Sequence, residues 1–349
     1  MEKTETGSTS DMIERMLSWT KRIEQTKYVI FIIVAVGVII RLISIPLFAT
    51  TPHNPVDVYY VDNQSAKLIL EFKSPYLHEP VVNGYGYMFV YLPMVALYYV
   101  PFYLLGDIRI GNIVADVLIM LSVYWIAKSI NRGAAFFAPL TYALFPLSIL
   151  LTSINVTNFM IGTSFLALST ASLMKKKYSI AAVFLGLALA TNQMVVVALP
   201  LLIYKFWKEH KFSCFFGSVI LAAGIILPFF ITEPKAFVYN VFLFQFARQL
   251  QGNGTFSLYS AVNSIVGISI ASWIRAAIFV IIVVIAVMWL RRKPFLLVPL
   301  LAGLLLLGAF ILPVNGFLNY FLPGAAFFCA LVPYAIDKIT NYLEKSTSQ

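Results

Sequence analysis

The sequence predicts an all-α, polytopic membrane protein of about 10–12 transmembrane helices, with a large outer first loop that carries juxtamembrane helices. Three observations carry that expectation. Of the 349 residues, 60% are hydrophobic and only 11% are charged, against about 25% charged in a soluble domain. Apolar runs such as Tyr28–Phe48, Ile278–Leu290 and Phe295–Leu312 have the length or density of bilayer spans, which need ~20 residues. Basic residues punctuate those runs in clusters, so the net charge of +10 reads as membrane topology, and no nucleic-acid partner is expected.

Taken in order, residues 1–27 read as a cytoplasmic tail, polar or amphipathic, with Ile13, Met16, Leu17, Thr20 and Ile23 on one face, and with no cleavable signal sequence. The basic clusters are Lys21/Arg22/Lys27, Lys128/Arg132, Lys175–Lys177, Lys205/Lys208/Lys211, Arg291–Lys293 and Lys338/Lys345. All fall on the cytoplasmic side if the chain crosses at 28–49, 109–128, 133–152, 157–174, 178–191, 193–206, 212–231, 274–290, 295–312 and 317–336. The apolar segments 87–105 and 257–272 then lie in the outer leaflet without crossing. If both crossed, the eight basic residues from Lys128 to Lys211 would move outside. The result is one membrane-embedded domain over 28–336, with outer loops at 50–108 and 232–273 and a cytoplasmic tail at 337–349.

Most of the unusual polar residues fall on the predicted outer side. The stretch Asp57–Pro93 holds four of the fifteen acids and a dense tyrosine set, Tyr59, Tyr60, Tyr76, Tyr85, Tyr87 and Tyr91. Asp57 follows the first span closely, after the stiff TPHNP linker, and a base held at the interface suits a lipid-linked substrate. Asp62 is five residues on; on a helix the two would not share a face closely. Arg41, Asp116 and Arg275 fall in or at the ends of predicted spans, where charge is expensive and so marks function unless it is paired. Arg109 opens the second span, and Arg248, Gln249, Asn253 and Thr255 follow in the second outer loop. Asn315, Asn319 and Tyr320 add a later outer set, with helix capping as the plain alternative. The three histidines and two cysteines have no metal-ligand spacing, and neither a phosphate-cradling glycine loop nor a nucleophile elbow is present.

Several of these residues form a pattern. Arg41-Leu42 near the end of the first span, Asp57-Val58-Tyr59-Tyr60, Ala66–Leu70, Ser74-Pro75-Tyr76 and Tyr91-Leu92-Pro93 resemble the first loop of integral-membrane glycosyltransferases of the GT-C type. Within that class the likeness is to polyprenyl-phosphate-mannose-dependent, mannosyltransferase-like families, archaeal members included. Gly106–Asn112, Ala190–Gln193 and Arg248–Ser257 extend it. The resemblance implies inverting transfer of a hexose from a polyprenyl-phosphate sugar to a lipid-linked or surface glycan, and the basic clusters put this on the extracytoplasmic face with both termini cytoplasmic. Asp57 would be the general base, with Asp62 in reserve. Arg41, Arg109 and Arg248 would hold the donor phosphate, and Tyr60, Tyr76, Tyr91, Gln193, Asn253 and Asn319 would contact sugar or acceptor. No cofactor or metal is implied. Asn192 stands where the family often has lysine, so donor-phosphate binding there is in doubt. A lipid or solute transporter, a flippase or a non-catalytic glycolipid-binding subunit remains the alternative.

Overall fold

The computed structural model describes residues 28–48, 57–77, 81–82, 85–86, 88–130, 134–154, 156–244 and 255–347. In chain order the helices are α1 (Val29–Phe48), α2 (Asp57–Leu70), α3 (Met94–Leu104), α4 (Arg109–Ile130), α5 (Phe137–Leu144), α6 (Pro146–Ile149), α7 (Phe159–Met174) and α8 (Tyr178–Leu189). They continue as α9 (Leu199–Lys208), α10 (Phe212–Thr232), α11 (Pro234–Val238), α12 (Leu258–Val266), α13 (Ser272–Arg292), α14 (Leu297–Ile311), α15 (Leu322–Cys329) and α16 (Val332–Thr347). A two-residue antiparallel ladder, Val82 opposite Tyr85, interrupts the first loop.

Helix α7 is the axis of the core. Fourteen of its sixteen residues are buried, and it packs against both α4 and α8. Its sequence, FMIGTSFLALSTASLM, makes this possible through small residues: Ser164 and Thr170 return their hydroxyls to the backbone, and Ser169 donates to the Ala181 carbonyl of α8 at 2.8 Å. Helices α1, α10 and α13 surround this centre. They leave large apolar side chains such as Phe31, Ile39, Phe216, Ile220, Ile281 and Trp289 exposed, as lipid-facing helices do.

Five helices among the described residues are long and apolar enough to cross a membrane: Val29–Leu47, Arg109–Ile130, Phe212–Thr232, Ser272–Arg292 and Pro294–Ile311. A sixth follows if Leu318–Cys329 and Val332–Ile339, bent by 43°, count as one. The chain is thus an all-helical, polytopic integral membrane protein. It differs from the sequence expectation in continuity. The predicted crossing 133–152 is divided into α5, α6 and a π-turn at Leu150–Ile154, with Pro146 opening the second piece. The predicted crossing 193–206 starts as a 3-10 turn, Gln193–Ala198, before α9. Helices α7 and α8 have 16 and 12 residues, or ~24 and ~18 Å at 1.5 Å per residue, against a hydrocarbon thickness of ~30 Å. At 87–105 and 257–272 the helices have only 11 and 9 residues.

Candidate active site

The site is built on α2. Its sequence, DVYYVDNQSAKLIL, turns Val61, Asp62, Ser65, Ala66 and Leu68 inward, packed largely against α3. Asp57 sits at the exposed N-terminal end, where a carboxylate is favoured by the helix dipole, and accepts the Val58 N–H at 2.8 Å. Five residues later, roughly 7 Å along the axis, Asp62 is completely buried. Its two oxygens each lie 3.3 Å from the Asn158 amide nitrogen at the start of α7. Burial pushes the Asp62 carboxyl well above the usual carboxylate range; the Asn158 hydrogen bond opposes this and the Asp57 charge adds to it. The two acids therefore have different chemistry: one is exposed, the other is buried and favours its proton.

A polar set surrounds Asp62. Tyr91 lies within electrostatic reach of Asp62, Tyr320 and Asp57; burial first, and then Asp62, pushes its phenol upward. Thr157 and Asn158 are both nearly inaccessible, and Asn319 donates to the Thr157 hydroxyl at 3.2 Å. Tyr320 stacks on Phe159 with ring centroids 4.8 Å apart. The Oδ1 of Asn319 is buried with no hydrogen-bond partner. Val156, directly before this pair, holds φ at 32°, a left-handed conformation that costs a β-branched residue about 1–2 kcal/mol and that concentrates at functional sites.

At the exposed end of α2, the Arg109 guanidinium lies over the Tyr59 ring, 5.1 Å from its centroid, and 3.8 Å from Asp107. Tyr60 meets Tyr59 edge-on at 5.8 Å. The predicted candidates Asp57, Tyr60 and Arg109 thus gather at one end of the helix, while Asp62, Tyr91 and Asn319 gather behind it.

Three other candidates have structural roles. Arg41 is wholly buried. Its Nε lies 2.6 Å from Asp116, its fork reaches the Ser148 hydroxyl at 2.7 Å and the Ala143 carbonyl, and Tyr142 supports the other Asp116 oxygen at 2.8 Å. With its donors committed to protein, Arg41 has no open face for a donor phosphate. Tyr76 donates to the Tyr91 carbonyl at 2.8 Å and packs its buried ring against Phe89, Phe229 and Phe237, contacts that support the loop. Gln193 donates to the Val90 and Val241 carbonyls, both at 3.1 Å. With Asn240 donating to the Tyr76 carbonyl at 3.2 Å, it ties the first outer loop to the second. Asn192 caps the 3-10 turn by accepting the Met194 N–H. It also borders a narrow, mostly apolar crevice, lined among others by Phe159, Gly162, Thr163 and Leu305. Arg248 and Asn253 lie outside the described residues.

Arg275, at the start of α13, contrasts with Arg41. It is almost fully buried, donates to the Leu312 carbonyl at 2.6 Å and lies over the Tyr259 ring at 5.2 Å, but its Nε has no partner. No acid pairs with it among the described residues. The sequence flagged its cost but gave it no role. Thr157 and Asn158 were missed outright; their signal is a polar pair opening an otherwise apolar helix. Among the described residues, no group of three or more His, Cys, Asp or Glu side chains gathers in one place.

With 16% sequence identity and a TM-score of 0.60, the structure superposes on ArnT from Cupriavidus metallidurans bound to undecaprenyl phosphate, over 88% of this chain and 60% of that one. The apo state of the same protein gives 15% identity and a TM-score of 0.62, over 91% of this chain and 61% of that one. This is the GT-C fold. The Archaeoglobus fulgidus oligosaccharyltransferase superposes more loosely, with 13% identity and a TM-score of 0.50 over 93% of this chain and 52% of that one. The chain therefore spans only about three fifths of the length of ArnT. No protein-family model and no curated protein sequence matches it.

Proposed function

We propose that this GT-C chain is a membrane glycosyltransferase that moves a hexose from a polyprenyl-phosphate carrier to a hydroxyl of a lipid-linked or surface glycan. The observation that carries this reading is the division of labour on α2. An exposed carboxylate, Asp57, stands at the N-terminal end of the helix whose Tyr59 ring carries Arg109, while the second acid is buried. The neighbour ArnT, bound to undecaprenyl phosphate, supports the donor class. The mannose-like sugar and the inverting course rest on the first-loop resemblance alone.

In the reaction, Asp57 takes the proton of the acceptor hydroxyl as its oxygen attacks the anomeric carbon. The bond from that carbon to the phosphate oxygen breaks, the configuration inverts, and polyprenyl phosphate leaves. Arg109 and Arg275 stabilise the charge that develops on the leaving phosphate, as preorganised cations do in a site screened from water. Arg275 takes the role that sequence alone gave to Arg41, and its missing counter-charge supports this. Tyr60 and Tyr91 contact the sugars. The active face is extracytoplasmic and both termini are cytoplasmic, a reading supported by the basic clusters.

The test uses Asp57→Asn protein purified in detergent and given a radiolabelled polyprenyl-phosphate hexose with a lipid-linked glycan acceptor. Because Asp57 is exposed, its unfolding midpoint stays at the wild-type value, while transfer falls by about 10²–10⁴-fold. Transfer at the wild-type rate would sink the assignment of the base.

A further inference from the structure

Helices α4 and α7 each join two ends of the bundle. Their site ends carry Arg109 and Asn158, and their far ends carry Lys128 and Lys175. Over the 22 residues of α4 the two ends are ~33 Å apart, so in a bilayer the lysines meet the headgroups of the leaflet opposite Asp57.

At that far end three lysines converge from two elements. Partial burial first, and then the positive charges of Lys177 and Lys128, push the Lys175 ammonium below its ordinary range. Lys175 lies over the Trp125 ring at 4.3 Å, and Lys128 over Tyr124 at 5.5 Å. The turn that presents them is tight. Lys176 holds φ at 58°, a C-cap position where glycine is the ordinary choice, and the N–H groups of Lys176 and Lys177 close on the Leu173 and Ser172 carbonyls at 3.0 and 2.9 Å. Glu209, an acid on the same side of the bundle, is engaged by Lys205 at 2.7 Å and Tyr178 at 2.9 Å. Among the described residues, Lys128, Lys175 and Lys177 form no ion pair with any acid. Three like charges are thus held together at headgroup depth beside two aromatic rings, with no carboxylate paired to them among the described residues.

We propose that Lys128, Lys175 and Lys177 form a binding site for the headgroup of an anionic phospholipid, with Trp125 and Tyr124 as its interfacial wall. The lysines supply the phosphate-facing charge, and the rings sit where the headgroup meets the acyl chains. This proposal is independent of the chemistry at Asp57.

The experiment measures thermal unfolding of the purified full-length chain in a mild non-ionic detergent, titrated with phosphatidylglycerol, phosphatidylcholine or inorganic phosphate. The expected result is saturable stabilisation by phosphatidylglycerol alone. In Lys128→Gln, Lys175→Gln and Lys177→Gln the half-saturating lipid concentration rises about fivefold per lysine removed. Lys175→Arg, which keeps the charge, and the pair Lys67→Gln/Lys73→Gln at the other end of the bundle leave it unchanged. Equal stabilisation by phosphatidylcholine overturns the proposal, as does an unaltered titration in the lysine variants. Equal stabilisation by inorganic phosphate also overturns it, because the ligand is then a free anion and no lipid.

Discussion

Replacing Asp62 tests whether a buried, neutral acid stands behind an exposed base. Asp62 is fully buried; its carboxylate meets the Asn158 amide at 3.3 Å, lies within electrostatic reach of the Tyr91 and Tyr99 phenols, and forms no ion pair among the described residues. Its folded pKa is raised, so over the window from about pH 4, the unfolded value, up to the folded pKa, the native state binds more protons than the unfolded chain. Stability from this group is complete below the unfolded pKa and falls as pH rises toward the folded one, by ~1.4 kcal/mol for each pH unit of the shift. Asp62→Asn keeps the shape and an acceptor for Asn158 but cannot ionise. It therefore removes that slope: at pH 8 the variant is as stable as wild type or more so. Asp62→Ala instead leaves the Asn158 amide unpaired in a dry site, at about 1–3 kcal/mol. Unfolding curves for the three proteins from about pH 5 to 9 read the difference directly, since all other titrations cancel between wild type and Asn variant. Asp62→Asn should also keep transfer within about tenfold, because a protonated acid is no base. If Asp62→Asn is as unstable as Asp62→Ala at pH 8, or if its transfer falls as far as that of Asp57→Asn, the neutral-acid reasoning is refuted.

Arg41→Met strands the Asp116 carboxylate in a fully buried position and should cost about 3–5 kcal/mol. The double variant Arg41→Met/Asp116→Leu should recover most of that loss, and the KM for the lipid donor should not change in the protein that remains folded. Gln193→Leu removes the hydrogen bonds to the Val90 and Val241 carbonyls and leaves both carbonyls without that donor. A lower unfolding midpoint, with loss of about 1–3 kcal/mol, is expected from thermal denaturation. Gly316→Ala would place a Cβ 2.5 Å from the Phe256 carbonyl oxygen, where the Phe256 N–H also pairs with the Gly316 carbonyl. Faster proteolysis of the segment around Phe256 is its readout.

Composition and basic clusters were enough to read the fold class, because lipid forces backbone polar groups into helices whatever the tertiary details. They were not enough to read helix continuity. Pro146 interrupts one apolar run, and the 3-10 turn Gln193–Ala198 is built mostly from apolar residues, so 133–152 and 193–206 look like whole spans when only counted. The site was legible where residues act locally. Asp57, Tyr60 and Arg109 are marked by type and by nearness to a span end, and Arg109 and Tyr60 both meet the Tyr59 ring on the helix that Asp57 opens. Asn158 was hidden because its partner Asp62 is 96 residues away, and no spacing rule joins an amide on one helix to an acid on another.

The two buried arginines give the general form of that limit. In a span, charge alone predicts either a function or a partner, and sequence cannot choose between them. Arg41 lies 75 residues before the acid that neutralises it, and folding closes Asp116, Ser148 and the Ala143 carbonyl around the fork, which ends its candidacy for substrate. Arg275 is nearly as buried but finds only one carbonyl and a tyrosine face, with Nε unsatisfied. An unpaired buried guanidinium is costly unless something external supplies the anion. The chain tolerates that cost at the end of the bundle that carries Asp57, and a leaving phosphate is the anion the proposed reaction produces there.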